Sequence, residues 1–311
     1  MPAFLEIGNE PNIRLWSADP VDHLISTGQI TRWILTLGTG EWSLLGCNDV
    51  SNTTKLCLQG GFPTHWDQRS MAERFKWLSN TIGDHVPSLI FQKPLVQDAS
   101  PILMIAAEAC CAIPLPVCRD QLPRDSLNLL FGVSEQSSEP LLFHIHESEV
   151  VVATRFNAAL ISAVGTLFQA HTIIALEAAL LSRFLNAPES DAIKPSHQPE
   201  LMIARLDHRI LVAQRNHGNL SGFNTFTAEN PEDVLYYALL FDQGQSKSAY
   251  LAGFDQAEVH LLRDKIADSF GDCIVSDWIF DDQSLVDSEP WCLMTNRSLP
   301  ALASYIIRNP F

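Results

Sequence analysis

Apolar runs broken by short polar turns recur along this chain, and they do so twice in the same order. Thr31 to Leu37 reads as a strand, Gly38-Thr39-Gly40 as a turn, and Glu41 to Cys47 as the returning strand. Far downstream, Leu201 to Leu206, the turn Asp207-His208-Arg209 and Ile210 to Arg215 repeat that plan. Asn216-His217-Gly218 then turns the chain into a third strand ending at Phe226. Each hairpin leads toward a helix. In the first half, helical spacing runs from about Asp67 to Ile82, with Met71, Phe75, Leu78 and Ile82 on one face. In the second half the start signal is fuller: Asn230 suits the N-cap, Pro231 the first helical position, and Glu232 and Asp233 the positive helix end. Val234 to Phe241 is apolar nearly all round, which predicts a helix inside the domain rather than on its surface.

Further units lie between and after these. Ile102 to Ala106 is a buried strand, and Leu141 to Ile145 pairs with Val150 to Thr154. Ala158 to Phe168 is helical after Asn157, Thr172 to Ile174 is strand-like, and Leu176 to Leu185 is a second helix. Ala249 to Ala252 is a strand, and Asp255 with Glu258 forms a capping box. The helix it opens carries Leu261, Leu262, Ile266 and Phe270 and stops at Gly271. Hairpins alternating with helices, arranged twice, imply mixed sheets covered by helices, an α/β protein.

Composition narrows the function classes. The 311 residues are 46% hydrophobic and 18% charged, ample for a core, with a net charge of -16. That acidity argues against a nucleic-acid partner, which would call for clustered Lys and Arg. It reads first as solubility and second as attraction to a basic protein. No apolar run reaches the ~18 residues that span a bilayer. The seven cysteines are odd in number and lack a Cys-x-x-Cys, so reduced, buried thiols and a cytoplasmic location are expected.

Several of these segments resemble a bacterial family of unknown function whose members adopt the actin-like ATPase (ribonuclease H-like) fold. The residues carrying the likeness are Asn224-Thr225-Phe226, Glu232-Asp233, Leu235-Tyr236-Tyr237 and Tyr250-Leu251-Ala252-Gly253. Cys111 to Leu115 and Leu127 to Leu130 also fit that family's middle section. More distantly, the chain is similar to the cytoplasmic assembly proteins of type IV pili and to actin-like division proteins. The resemblance implies two lobes of similar topology with a cleft between them. The expected division is an N-terminal extension over 1–30, lobes over 31–157 and 158–278 with a linker near 187–199, and a C-terminal extension over 279–311.

Active members of that superfamily hold nucleotide phosphates with two hairpin turns, each carrying an Asp and then a Gly. Here Gly38 and Thr39 fit the first turn, but Thr36 stands where the carboxylate belongs. In the second, Ala204 and Leu206 replace the acid and the glycine. Gly253 keeps half of the adenosine-side glycine pair and is followed by Phe254. The resemblance therefore implies a degenerate nucleotide cleft at Gly38, Thr39 and Gly253, no required cofactor, and a non-catalytic adaptor or scaffold that binds another protein. The alternative is a nucleotide-binding protein or weak ATPase using ATP and magnesium, and a small-molecule enzyme ranks third. His144-Ile145-His146 permits metal binding but reads as a solvated strand face. Asn224, Asp233 and Tyr237 are structural candidates, the Asn224 amide serving loop backbone near Asp233.

Overall fold

The computed structural model describes residues 3–6, 14–17, 23–24, 27–37, 41–48, 53–63, 69–85, 101–119, 121–133, 138–145, 148–167, 171–186, 199–206, 209–254, 256–271 and 273–277. The first lobe begins with β1 (Ala3–Glu6), β2 (Arg14–Ser17), β3 (Arg32–Leu37), β4 (Glu41–Asn48) and β5 (Thr53–Gly61). It continues through α1 (Met71–His85), β6 (Ile102–Ile105), α3 (Ala158–Leu167) and β10 (Thr172–Ala175). Between β6 and α3 sits a small module of β7 (Ala109–Pro114), α2 (Leu122–Phe131), β8 (Leu141–Ile145) and β9 (Val150–Arg155). A connecting helix, α4 (Leu176–Asn186), leads into β11 (Glu200–Leu206), β12 (Arg209–Asn216) and β13 (Asn219–Thr227). The second lobe closes with α5 (Pro231–Asp242), β14 (Ser248–Ala252), α6 (Gln256–Phe270) and β15 (Ile274–Asp277).

The two lobes share one topology. In the first sheet the order β5-β4-β3-β6-β10 is extended by β2 and β1 at the β5 edge, and the second sheet runs β13-β12-β11-β14-β15. Both pair their first three strands antiparallel and their fourth and fifth parallel to the first. The second lobe passes from β14 to α6 with only a short turn where the first lobe carries the whole small module.

Several expectations change. Residues 1–30 contribute β1 and β2 to the first sheet instead of forming an irregular extension. A third strand, β5, completes the first lobe's meander and was not read from the sequence. The first lobe extends past residue 157, because β10 pairs in parallel with β6 and so belongs to the first sheet. α1 starts at Met71 rather than Asp67: the Ser70 hydroxyl accepts from the Glu73 amide while the Glu73 carboxylate accepts from the Ser70 amide, a capping box that fixes the helix end. The linker region 187–198, Asp255 and the stretch from 278 to 311 lie outside the described residues.

The inside helix is α4, where Leu176 to Leu185 are all buried. The second sheet alternates its side chains around it. Met202, Ala204, Leu211 and Ala213 join the core shared with α4 and the first sheet, while Leu201, Ile203, Ile210 and Val212 face α5 and α6. α5 is thus an outer helix, with Val234, Ala238 and Asp242 buried but Tyr236 60% and Leu240 56% exposed. α6 behaves the same way: Val259, Leu262, Ile266 and Phe270 are buried and Leu261 faces solvent.

The corner before α5 is held locally. The Asn230 side chain accepts from the Asp233 amide at 2.9 Å, and the Asp233 carboxylate accepts from the Glu229 and Asn230 amides at 3.0 and 3.3 Å. Asn224 does not serve this corner as expected; its side-chain oxygen accepts from the neighbouring Thr225 amide. Tyr237 stacks on Phe226 with ring centroids 4.6 Å apart, fastening α5 to β13. Replacing Asp233 with Ala should lower stability by about 1 kcal/mol, measured as a lower denaturation midpoint in urea; an unchanged midpoint would contradict the cap.

Candidate functional site

The two sheets meet at the carboxyl ends of their parallel strands, the edge where open α/β sheets place ligands. From the first lobe come Ala107 and Glu108, just after β6, and Glu177 in the first turn of α4. From the second comes Arg209 at the start of β12. Both Glu177 carboxylate oxygens accept from the Ala107 amide, at 3.1 and 3.0 Å. The Arg209 guanidinium donates to Glu177 at 3.2 Å, to the Glu108 carbonyl at 3.2 Å and to the Ala107 carbonyl. Glu177 is fully buried, and the helix start beneath it favours a carboxylate. Burial pushes its pKa up, with Arg209 and the Ala107 amide offsetting part of that rise.

The other cleft residues are also internally engaged. Thr36 is fully buried, directly across from Ser43 in the β3–β4 pair. Its hydroxyl donates to the Ser43 carbonyl at 3.2 Å and contacts the Ser43 hydroxyl. Ala204 and Leu206 are buried in the core. Gly253 has φ +74°, and a Cβ there would lie 2.7 Å from the Arg205 carbonyl oxygen, so only glycine fits this backbone approach. Beside it, the Arg205 guanidinium lies over the Phe254 ring at 5.1 Å and pairs with Glu258 at 3.0 Å. Gly38, Thr39 and the turn residues Asp207 and His208 lie outside the described residues. The sequence reading missed Glu177 and Arg209. Each is unremarkable locally, and only the approach of the lobes makes them a pair.

A second tie holds the far end of α4. Arg215 donates to the Phe184 carbonyl, pairs with Glu200 and lies over the Phe184 ring at 4.9 Å. Tyr250 donates to the same Glu200 at 3.1 Å, and burial pushes its hydroxyl up to about 12. Among the described residues no cluster of three or more His, Cys, Asp or Glu could hold a metal. His144 is an exposed residue of β8, and His146 lies outside the described set. The described cysteines are unbridged, and burial raises Cys111 to about 11. No helix among the described residues is long and apolar enough to cross a membrane.

A family model described as a protein of unknown function (DUF3822) matches residues 71–244, more than half of the chain. Among solved structures, a Bacteroides thetaiotaomicron VPI-5482 protein with actin-like ATPase fold and unknown function is similar at TM-score 0.68 and 12% identity, covering 89% of this chain and 97% of that one. A chain of the PilM–PilN type IV pilus biogenesis complex is similar at TM-score 0.52 and 10% identity, covering 91% of this chain and 100% of that one. Comparison with curated proteins gives no match. The fold is the actin-like ATPase fold, as the family resemblance in the sequence implied. At these identities the likeness carries nothing about chemistry.

Replacing Glu177 with Ala should cost about 3 kcal/mol, because it leaves the Ala107 amide and Arg209 without their shared carboxylate; a change in urea midpoint no larger than that of an exposed site would refute the lock. A Glu177→Gln variant tests the ionisation. Because the folded pKa is raised, the carboxyl favours folding most below its unfolded value of about 4.3, and this contribution is lost as pH rises through the folded value. The melting-temperature difference, wild type minus Gln, should therefore fall as pH rises from acid toward neutral. A difference that grows over that range would reverse the sign assigned to burial.

Proposed function

The chain belongs to this DUF3822 family, and we propose that it is a non-catalytic protein of actin-like fold, an adaptor or scaffold for another protein, with a degenerate nucleotide cleft. One observation carries this reading: polar groups at the cleft satisfy one another, Glu177 with Arg209 across the lobes, and Glu177 with Ala107 and Thr36 with Ser43 within the first lobe. A magnesium-bound triphosphate needs carboxylates to organise the metal and its waters, and close backbone approach at both hairpins. Thr36, Ala204 and Leu206 offer a hydroxyl, a methyl and a branched side chain at those positions. Such a set does not fit a magnesium-bound triphosphate. Gly253, which could be taken as a remnant of an adenosine site, has a structural use of its own against Arg205.

Protein binding is supported by the similar chain of the PilM–PilN type IV pilus biogenesis complex, since that fold occurs there in an assembly. In calorimetric titrations with ATP and ADP, with and without magnesium, the pure protein should give no binding heat and release no phosphate. Magnesium-dependent phosphate release, lost on replacing Gly38 or Thr39, would overturn the reading in favour of a weak ATPase.

A further inference from the structure

The small module presents an apolar surface that the other described residues leave exposed. In α2 and just beyond it, Leu129 is 86%, Leu130 63% and Val133 81% exposed, with Phe131 also exposed. Leu141 and Leu142, which open β8, are exposed as well. Of the β8 pair, Leu142 lies on the side of α2, and Leu141 is on the opposite face of the strand with Phe143. Arg155, at the end of β9, donates to the Asn128 side chain at 3.2 Å and to the Gly132 carbonyl at 3.0 Å. That same end of β9 pairs with the start of β8, Thr154 opposite Leu141 and Ala153 opposite Leu142. Arg124 of α2 lies 3.6 Å from Glu139, just before β8.

β8 is also an edge. The small sheet runs β7-β9-β8, so among the described residues β8 is paired on one side only. The opposite edge differs: β7 lies beside β13, with a groove of about 200 Å³ between them lined in part by Ile113, Pro114, Leu220 and Phe223. Along β8 the side chains alternate. Phe143 and Ile145 enter the main core, whereas Leu142 is opposite Ala153, a member of the cluster under α2. Leu142 and His144 thus share the α2 side and are exposed there. An added strand would place every second side chain on that side, against the apolar end of α2.

Charge selects the occupant. With 36 acidic and 20 basic residues the chain carries -16, so a second copy is repelled and a basic protein is attracted. Exposed Glu149 follows the strand, and Glu139, exposed before it, lies 3.6 Å from Arg124. We infer that β8 is a docking edge that takes an extended apolar segment of a basic partner protein, flanked by Lys or Arg, as a fourth strand of the small sheet, with alternate side chains covering Leu129, Leu130 and Phe131. This rests on the adaptor reading and gives it a surface and a kind of partner.

The test uses the full chain and a fluorescent peptide of alternating valine and threonine between lysine pairs, followed by anisotropy. Binding is expected, with amide-exchange protection confined to β8. The Leu129→Glu, Leu130→Glu double variant should weaken it at least about tenfold, with an unchanged melting temperature because both sites are exposed. Three results would overturn the inference: no peptide binding, equal binding by the variant, or preference for a leucine–lysine peptide of helical periodicity. So would sedimentation as a dimer that the variant converts to monomer, since the patch would then belong to a second copy. ATP hydrolysis by the same preparation would instead sink the adaptor reading, so the two failures are distinguishable.

Discussion

Everything in this molecule is arranged around one helix that has no surface. α4 lies between the two sheets with all its side chains from Leu176 to Leu185 buried, and that includes Glu177, Ser182 and Arg183. Buried charge is tolerable only when paired and hydrogen-bonded. β12 reaches both ends of the helix: Arg209 pairs the buried Glu177 at its start, and Arg215, itself paired with Glu200, donates to the Phe184 carbonyl at its far end. Two arginines on one strand of the second lobe therefore fix the orientation of a helix that emerges directly from β10 of the first.

This arrangement bears on what the cleft can do. In a nucleotide-cycling two-lobed protein, the region between the lobes must exchange contacts as ligand enters and leaves. Here the inter-lobe contact at the carboxyl ends of the strands pairs a fully buried Glu177 with a partly exposed Arg209, with backbone partners on both sides. Removing one partner of such a pair is costly, so the junction favours one lobe arrangement over an equilibrium between two.

How much of this was legible along the chain depended on range. The α5 start could be read because Asn230, Pro231 and Asp233 act within one turn of each other. The hairpins of both lobes could be read because their turns and alternation are local. The position of α4 could not. Its sequence carries Glu and Arg that suggest a solvated face, while α5 is more apolar and yet exposes Tyr236 and Leu240. What reverses the expectation is that the partners of Glu177 lie 70 and 32 residues away. β5 was missed because Gly60 and Gly61 end it and Lys55 interrupts its apolar run; its two neighbouring strands, β2 and β4, not its own propensity, hold such a segment. β1 and β2 are four residues each, too short for periodicity to register.

The near-repeat of the lobes also indicates where individuality resides. Strand order, pairing sense and the helix after the third strand are common to both, so those features answer to the fold. The break comes after the fourth strand. Following β14 the second lobe makes the tight Gly253 turn and enters α6; following β6 the first lobe passes Ala107 and Glu108 and inserts the three-stranded module before α3. The insertion point adjoins the Arg209 contact, so the module is rooted beside the junction of the lobes. One face of its sheet packs into the main core through Phe143 and Ile145, and the other carries α2. An element with an edge that no other described strand pairs and an exposed apolar helix end is costly to keep in water unless something covers it, because exposed strand edges and apolar patches invite indiscriminate association. Where a fold departs from its own internal symmetry and leaves such a surface exposed, the departure is the part that the scaffold's stability alone does not explain.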